Sequence, residues 1–199
     1  MEDAADMHWL DIMNVIIFYT AIFLLSWNTS ILIFNRAVPN IATAPAIRRE
    51  VIELLKKDMA RRGGAPYTVI DVGSGNGLFT REIAEAMPEA RVLGLEISYP
   101  AYKWSRAMKH YHKLDNLDYK RTDFFKYDMS PANAVVMFFF RMDPAAKKLR
   151  RELKPGTLVC STSFKLLDGW VAAEEREVKT LHPFQKKLFV YYSPGPDQA

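Results

Sequence analysis

The segment Tyr67-Thr68-Val69-Ile70-Asp71-Val72, followed at once by Gly73-Ser74-Gly75-Asn76-Gly77, constrains this chain more than any other. A short apolar, β-branched run is what a strand buried on both faces requires, and glycines at alternate positions mark a tight turn. Helical spacing resumes at Leu78 and continues to Met87. A buried strand that turns through glycines into a helix is the opening unit of a parallel sheet, because parallel neighbours need crossover connections.

The same alternation repeats downstream. Residues 91–97 read as a strand, 101–113 as a helix, 117–125 as a third strand and 133–140 as a fourth. A helix over 144–153 stops at Pro155-Gly156, and a fifth strand covers 157–164. EREVKTL and KKLFVYY, separated by His182 to Gln185, form a hairpin at the sheet edge. Ahead of the motif, residues 46–62 place Ile47, Val51, Leu54 and Leu55 at helical spacing, and Gly63, Gly64 and Pro66 end that helix. The expected fold is α/β: a Rossmann-like, doubly wound, mostly parallel sheet with a C-terminal antiparallel hairpin and an N-terminal hydrophobic helix.

That N-terminal helix comes from a stretch of 24 residues, 12–35, without a single charge. At 1.5 Å per residue it reaches about 36 Å, enough to cross a hydrocarbon core of about 30 Å. Thr20, Ser26, Asn28, Thr29 and Ser30 would need partners in lipid, which leaves a helix lying in the interface or a helix packed on the domain as the alternatives. Glu2, Asp3, Asp6 and Asp11 precede the stretch, unlike the basic start of a cleaved secretory signal, so an uncleaved anchor is expected. Arg36, Arg48, Arg49, Lys56 and Lys57 follow it and put the remainder on the cytoplasmic, or matrix, side. The expected organisation is an anchor over 1–36, a linker and pre-motif helix over 37–62, and a catalytic domain over 63–199.

Composition excludes several functions. The formal net charge is +4 and is spread along the chain, so no run resembles a nucleic-acid arm. Lys109, Lys113, Lys120 and Arg121 read as a solvated face, and no nucleic-acid partner is expected. Cys160 is the only cysteine, which rules out an internal disulfide and a multi-cysteine zinc site. His8, His110, His112 and His182 lack ligand spacing, so no metal is expected.

The glycine turn identifies the ligand class. A dinucleotide fingerprint wants Gly or Ala three positions after its second glycine, but position 78 is Leu and the spacing is G-x-G-x-G. Asp71, two residues before the first glycine, would sit badly beside a pyrophosphate and well beside the amino group of S-adenosylmethionine. Glu96 closes the second strand, where a carboxylate can accept both ribose hydroxyls. Asp123 ends the third and can accept from an adenine amino group, with Ile97 and Phe124 sandwiching the ring. The expected cofactor set is therefore Asp71, Gly73, Ser74, Gly75, Gly77, Glu96, Ile97, Asp123 and Phe124.

From residue 38 onward the chain resembles class I S-adenosylmethionine-dependent methyltransferases, the terminal hairpin included. More narrowly it is similar to the membrane-anchored lysine methyltransferases of the ATP synthase c subunit and the adenine nucleotide translocase, and to their prokaryotic relatives. That likeness rests on Val38-Pro39 and Thr43, VGSGNG, Glu96-Ile97-Ser98 with Pro100, Trp104-Ser105-Arg106 and Asp123-Phe124-Phe125-Lys126. Lys148-Leu149, Glu152-Leu153, Phe164 and Trp170 continue it. The chain departs from the family pattern at Asn40 and Ala42 and in a shorter FFFRMDP segment, both in regions that face the acceptor. The resemblance implies a lysine acceptor on a membrane protein and a bilayer partner for the N-terminal helix. A lipid, quinone or small amphiphile is the alternative acceptor, and a non-catalytic S-adenosylmethionine-binding module the alternative class.

A lysine amine with pKa near 10.4 is neutral only about once in 2,500 molecules at pH 7, so its pocket must favour the uncharged form. Phe138, Phe139, Phe140 and Trp170 are the expected apolar lining, Asp143 would guide the ammonium in, and Tyr99 would border the site.

Overall fold

Residues 3–34, 42–138, 142–182 and 185–195 are described by a computed structural model. The chain divides into two units, Met1–Asn40 and Ile41–Ala199.

The first unit holds one helix, α1 (Asp3–Phe34), of 32 residues. Its window Trp9–Ser26 has a mean hydropathy of 1.8 and none of it is buried, so it is long and apolar enough to cross a membrane. The Thr20 hydroxyl donates to the Ile16 carbonyl at 2.7 Å, which satisfies that polar group within the helix itself.

The second unit opens with α2 (Pro45–Arg61), where proline occupies the first turn and needs no hydrogen-bond partner. Ile47, Val51 and Leu55 are at most 1% exposed, so this helix belongs to the core of the unit. Next come β1 (Tyr67–Val72), α3 (Leu78–Ala86), β2 (Ala90–Glu96), α4 (Tyr99–His112) and β3 (Leu117–Arg121). A 3-10 turn (Phe124–Lys126), β4 (Ala134–Met137), α5 (Met142–Glu152), β5 (Leu158–Thr162), β6 (Glu174–Glu177) and β7 (Lys187–Tyr192) complete it.

The seven strands are ordered β3-β2-β1-β4-β5-β7-β6. The first five are mutually parallel, and β7 pairs antiparallel with both β5 and β6. Alternating side chains feed two cores, as strands covered on both faces require. Tyr67, Val69, Ala134, Val136, Leu158 and Cys160 pack on the α2 and α3 side. Ile70, Val72, Val135, Met137, Val159 and Tyr191 pack on the α5 side. Cys160 is 1% exposed, and burial pushes its thiol up to about 12, so it stays protonated at neutral pH.

Several strands are shorter than the sequence pattern suggests, β4 ending at Met137 and β5 at Thr162. The third strand ends at Arg121, and Asp123 caps the following 3-10 turn by accepting from the Phe125 N–H at 3.0 Å. The strand expected over EREVKTL ends at Glu177, and in the connection to β7 the fully buried Gln185 turns away to another partner. Its side-chain amide donates to the Ala42 carbonyl at 2.9 Å and its oxygen accepts from the Ala44 N–H at 2.5 Å, which pins the approach to α2.

Candidate cofactor and acceptor site

The strand order reverses direction between β1 and β4, and in an open parallel sheet a ligand crevice forms beyond the carboxyl ends of strands at such a point. The glycine turn leaves β1 at that position. Gly73, Gly75 and Gly77 take φ of 75°, 56° and 77°.

The turn is seated on β2 by paired backbone bonds. The N–H groups of Gly73 and Ser74 both donate to the Leu95 carbonyl, at 2.9 and 3.0 Å. Glu96 stands next to that carbonyl at the end of β2 and is 8% exposed. One of its carboxylate oxygens accepts from the Gly75 N–H at 2.8 Å, the other from the Ser98 N–H at 2.6 Å. Two amides aimed at one buried carboxylate fix it in place, and each oxygen retains a lone pair for a ligand donor.

A second layer beneath the turn was not legible in the sequence. The Tyr119 hydroxyl donates to the Gly77 carbonyl at 2.9 Å. A Cβ at Gly77 would lie 2.4 Å from that hydroxyl oxygen and 2.7 Å from the Ser105 Cβ. A Cβ at Gly94 would lie 2.6 Å from the Tyr119 ring and 2.8 Å from the Ser74 hydroxyl. Gly94 and Tyr119 are register partners across β2 and β3, so the missing side chain on one strand makes room for the ring on the next. Ser74, 8% exposed, therefore turns its hydroxyl toward the sheet, while its backbone shapes the turn.

Asp71 lies under the same turn at 5% exposure and accepts from the Thr80 hydroxyl at 2.7 Å. Burial pushes its carboxyl up to about 7, the Thr80 bond opposes this, and nearby Glu96 adds to it. A carboxyl raised from 3.8 gives the folded state the tighter hold on the proton. Its contribution to stability is fully present below about pH 4 and is lost as pH rises through about 7. We expect the melting temperature of wild type relative to Asp71→Asn to fall by about 5 °C between pH 4 and pH 7.5. Scanning calorimetry of both proteins across that range checks this, and parallel curves would contradict it.

The remaining expected residues are dispersed. Ile97 is partly exposed between Glu96 and the buried Ser98. Phe124 is 5% exposed, 5.0 Å from the Phe125 ring and with the Lys148 ammonium 5.6 Å from its own centroid. Lys148 is held in turn by Glu152 at 2.6 Å, so a part-buried ion pair on α5 backs the turn that carries Asp123. Phe138, just beyond β4, stacks on Phe164, just beyond β5, with centroids 5.9 Å apart and planes at 21°. Asp143 is exposed in the first turn of α5. Trp170 is 8% exposed, and its indole N–H donates to the Ala146 carbonyl at 3.1 Å, so it packs in the core against α5. Phe139 and Phe140 lie outside the described residues. Tyr99 is 52% exposed, with the Arg121 guanidinium 5.0 Å from its ring centroid.

Comparison with known proteins places this geometry in context. The family model described as ANTKMT methyltransferase domain matches residues 71–174, from the buried acid of β1 to the start of β6. A protein-lysine N-methyltransferase of Saccharolobus islandicus is 27% identical over 147 residues, covering 71% of this chain and 86% of that protein. A malonyl-[acyl-carrier protein] O-methyltransferase of Legionella pneumophila is 23% identical over 153 residues, 71% of this chain. The match spans only about half of the Legionella protein's length, 54%. An RNA methyltransferase from Salinibacter ruber, solved with S-adenosyl-L-homocysteine, shares the fold with a TM-score of 0.64 at 22% identity. That match covers 77% of this chain and 94% of the other.

Proposed function

This chain belongs to the family of the ANTKMT methyltransferase domain, and from that premise we propose that it moves a methyl group from S-adenosylmethionine to a lysine side chain of a membrane-associated protein. The observation that carries the lysine assignment is the likeness to the Saccharolobus protein-lysine N-methyltransferase along 86% of that protein's length. The apolar helix α1 supports a membrane tether with the catalytic unit on the cytoplasmic or matrix side.

The residues present fit the cofactor. Glu96, immobilised by the Gly75 and Ser98 amides, has acceptor capacity left for two adjacent hydroxyls. The backbone of Gly73 to Gly77 holds the aminoacyl end, with the Asp71 carboxyl, held by Thr80, beneath it. Asp123, Ile97 and Phe124 border the adenine position, Asp123 through its carboxylate. When bound, the cofactor supplies an electrophilic methyl group on a sulfonium.

For this chemistry the protein needs alignment and dryness more than a covalent nucleophile. The stacked Phe138 and Phe164 form an apolar wall at the carboxyl edge of β4 and β5, where loss of water favours the neutral form of an entering amine. Phe139 and Phe140, outside the described residues, keep the acceptor-pocket role expected from the sequence. Asp143, exposed at the start of α5, draws the ammonium in before it sheds its proton. Trp170 holds α5 behind the wall through its bond to Ala146. A tether raises the effective concentration of acceptors in the same bilayer.

Incubating membranes with the full chain and methyl-labelled S-adenosylmethionine tests the assignment. The label should remain with protein after solvent extraction and appear as methylated lysine on hydrolysis. Label in the organic extract would assign a lipid, quinone or other amphiphile instead. Cofactor binding with no label transferred to any fraction would make this a non-catalytic module.

A further inference from the structure

The outward face of α4 carries chemistry that methyl transfer does not use. Over Tyr99–His112 the helix has no acidic side chain, and it includes Lys103, Arg106 and Lys109, with Lys113 directly after it. Ser105 is the only buried residue of this helix, so most of its surface faces outward. Trp104 is 57% exposed and Tyr111 78%, and a spacing of seven residues sets them on one side. Two large exposed aromatics on one side of a charged helix suit a water–membrane boundary, where indole and phenol rings are enriched.

Most of the cations beside them are not neutralised from within. Lys109 meets Asp118 at 3.4 Å and His112 meets Glu85 at 3.2 Å, and both acids are themselves exposed. Among the described residues, Lys103, Arg106, Lys113 and Arg121 form no ion pair. Aromatic rings support three of them instead. Lys103 lies 6.0 Å and Arg121 5.0 Å from the centroid of Tyr99, and Arg106 lies 5.7 Å from that of Tyr102. β3, which presents Arg121, is an edge strand of the sheet, so this corner of the unit is open.

We propose that this face of α4 docks on anionic lipid headgroups, with Trp104 and Tyr111 at headgroup depth and Lys103, Arg106 and Arg121 on the lipid phosphates. Uncompensated positive charge complements an anionic surface, and indole and phenol rings favour the membrane interface. The window Trp9–Ser26, apolar enough to span a bilayer, favours lipid over RNA as the anion. The proposal rests on the membrane tether of the preceding reading and adds an orientation: with α4 against the bilayer, the carboxyl edge of the sheet opens along the membrane surface.

The test uses the full chain carrying Ala107→Cys, an exposed position on the same face, labelled with an environment-sensitive fluorophore; native Cys160 is only 1% exposed. The chain is reconstituted into phosphatidylcholine vesicles and into vesicles that also contain about one third phosphatidylglycerol. We expect a blue shift and about a twofold gain in emission with the anionic vesicles only, reversed by 0.5 M salt as an estimate on the order of full screening. Lys103→Glu with Arg106→Glu should lower the docked-to-free ratio about 25-fold or more, at about fivefold per basic residue removed. Identical emission in both vesicle types overturns the proposal. So does a shift produced by a short mixed-sequence RNA and not by vesicles, which would make this a nucleic-acid surface. Flotation with phosphatidylcholine alone reports the tether separately. A chain that floats without the anionic shift leaves the tether standing and removes the α4 surface. A chain that does not float overturns the tether, and the response to anionic vesicles still decides α4.

Discussion

Glu96→Ala should lower the affinity for S-adenosyl-L-homocysteine by at least about 100-fold while leaving the unit folded. Hydrogen bonds to a charged group contribute about 1.5–3 kcal/mol each, and the two ribose hydroxyls would both lose their acceptor. The change also frees the Gly75 and Ser98 amides, which the carboxylate now holds at 2.8 and 2.6 Å, so the turn loses one of its fixed points. Glu96→Gln keeps one acceptor oxygen and removes the charge, and should fall between the two. Calorimetric titration measures both, and near wild-type affinity in Glu96→Ala would mean that the ribose is held elsewhere.

Gly77→Ala should have the largest effect on folding. The added Cβ would stand 2.4 Å from the Tyr119 hydroxyl and 2.7 Å from the Ser105 Cβ, at a φ of 77° that L side chains rarely adopt. Overpacking and backbone strain together should cost about 3 kcal/mol or more, or roughly 10 °C in melting temperature. Removing the hydroxyl with Tyr119→Phe in the same protein should recover only part of this, because the ring carbon beside it would still be 2.7 Å away. Thermal melts of the single and double variants measure it, and an unperturbed Gly77→Ala would show that the turn is not seated on Tyr119.

These two expectations mark where sequence and structure inform differently. Glu96 was legible because an acid closing a buried apolar strand stands out from its neighbours, and β2 does end at Glu96. The order of elements was equally plain, since hydrophobic period and glycine punctuation are local signals. The layer under the turn was not. Gly94, Tyr119 and Thr80 matter through strand register and through contacts between residues as far as 42 positions apart, and no local pattern encodes those. Gln185 was likewise read only as part of a turn, although its fully buried amide holds Ala42 and Ala44 across the chain. Trp170 shows a contact that the sequence did not signal: its indole N–H donates to the Ala146 carbonyl and its ring packs in the core beside α5.

Inward-facing polar groups give the site its firmness at both ends. Asp71 lies beneath the glycine turn, and the Lys148–Glu152 pair backs Phe124 and the turn that presents Asp123. Glu152 additionally accepts from the Met129 N–H at 3.2 Å, which ties α5 to the segment before β4. Mostly rigid supports on both sides of Glu96 are what a site that must align two reacting groups requires.

Titration of the purified full chain with S-adenosyl-L-homocysteine, followed by calorimetry, tests the central claim most directly. The account predicts saturable heat at one site per chain with micromolar affinity, on the order of 8 kcal/mol of binding free energy, weakened at least about 100-fold by Glu96→Ala. No heat with that ligand, together with clear saturation by a nicotinamide dinucleotide, would contradict it.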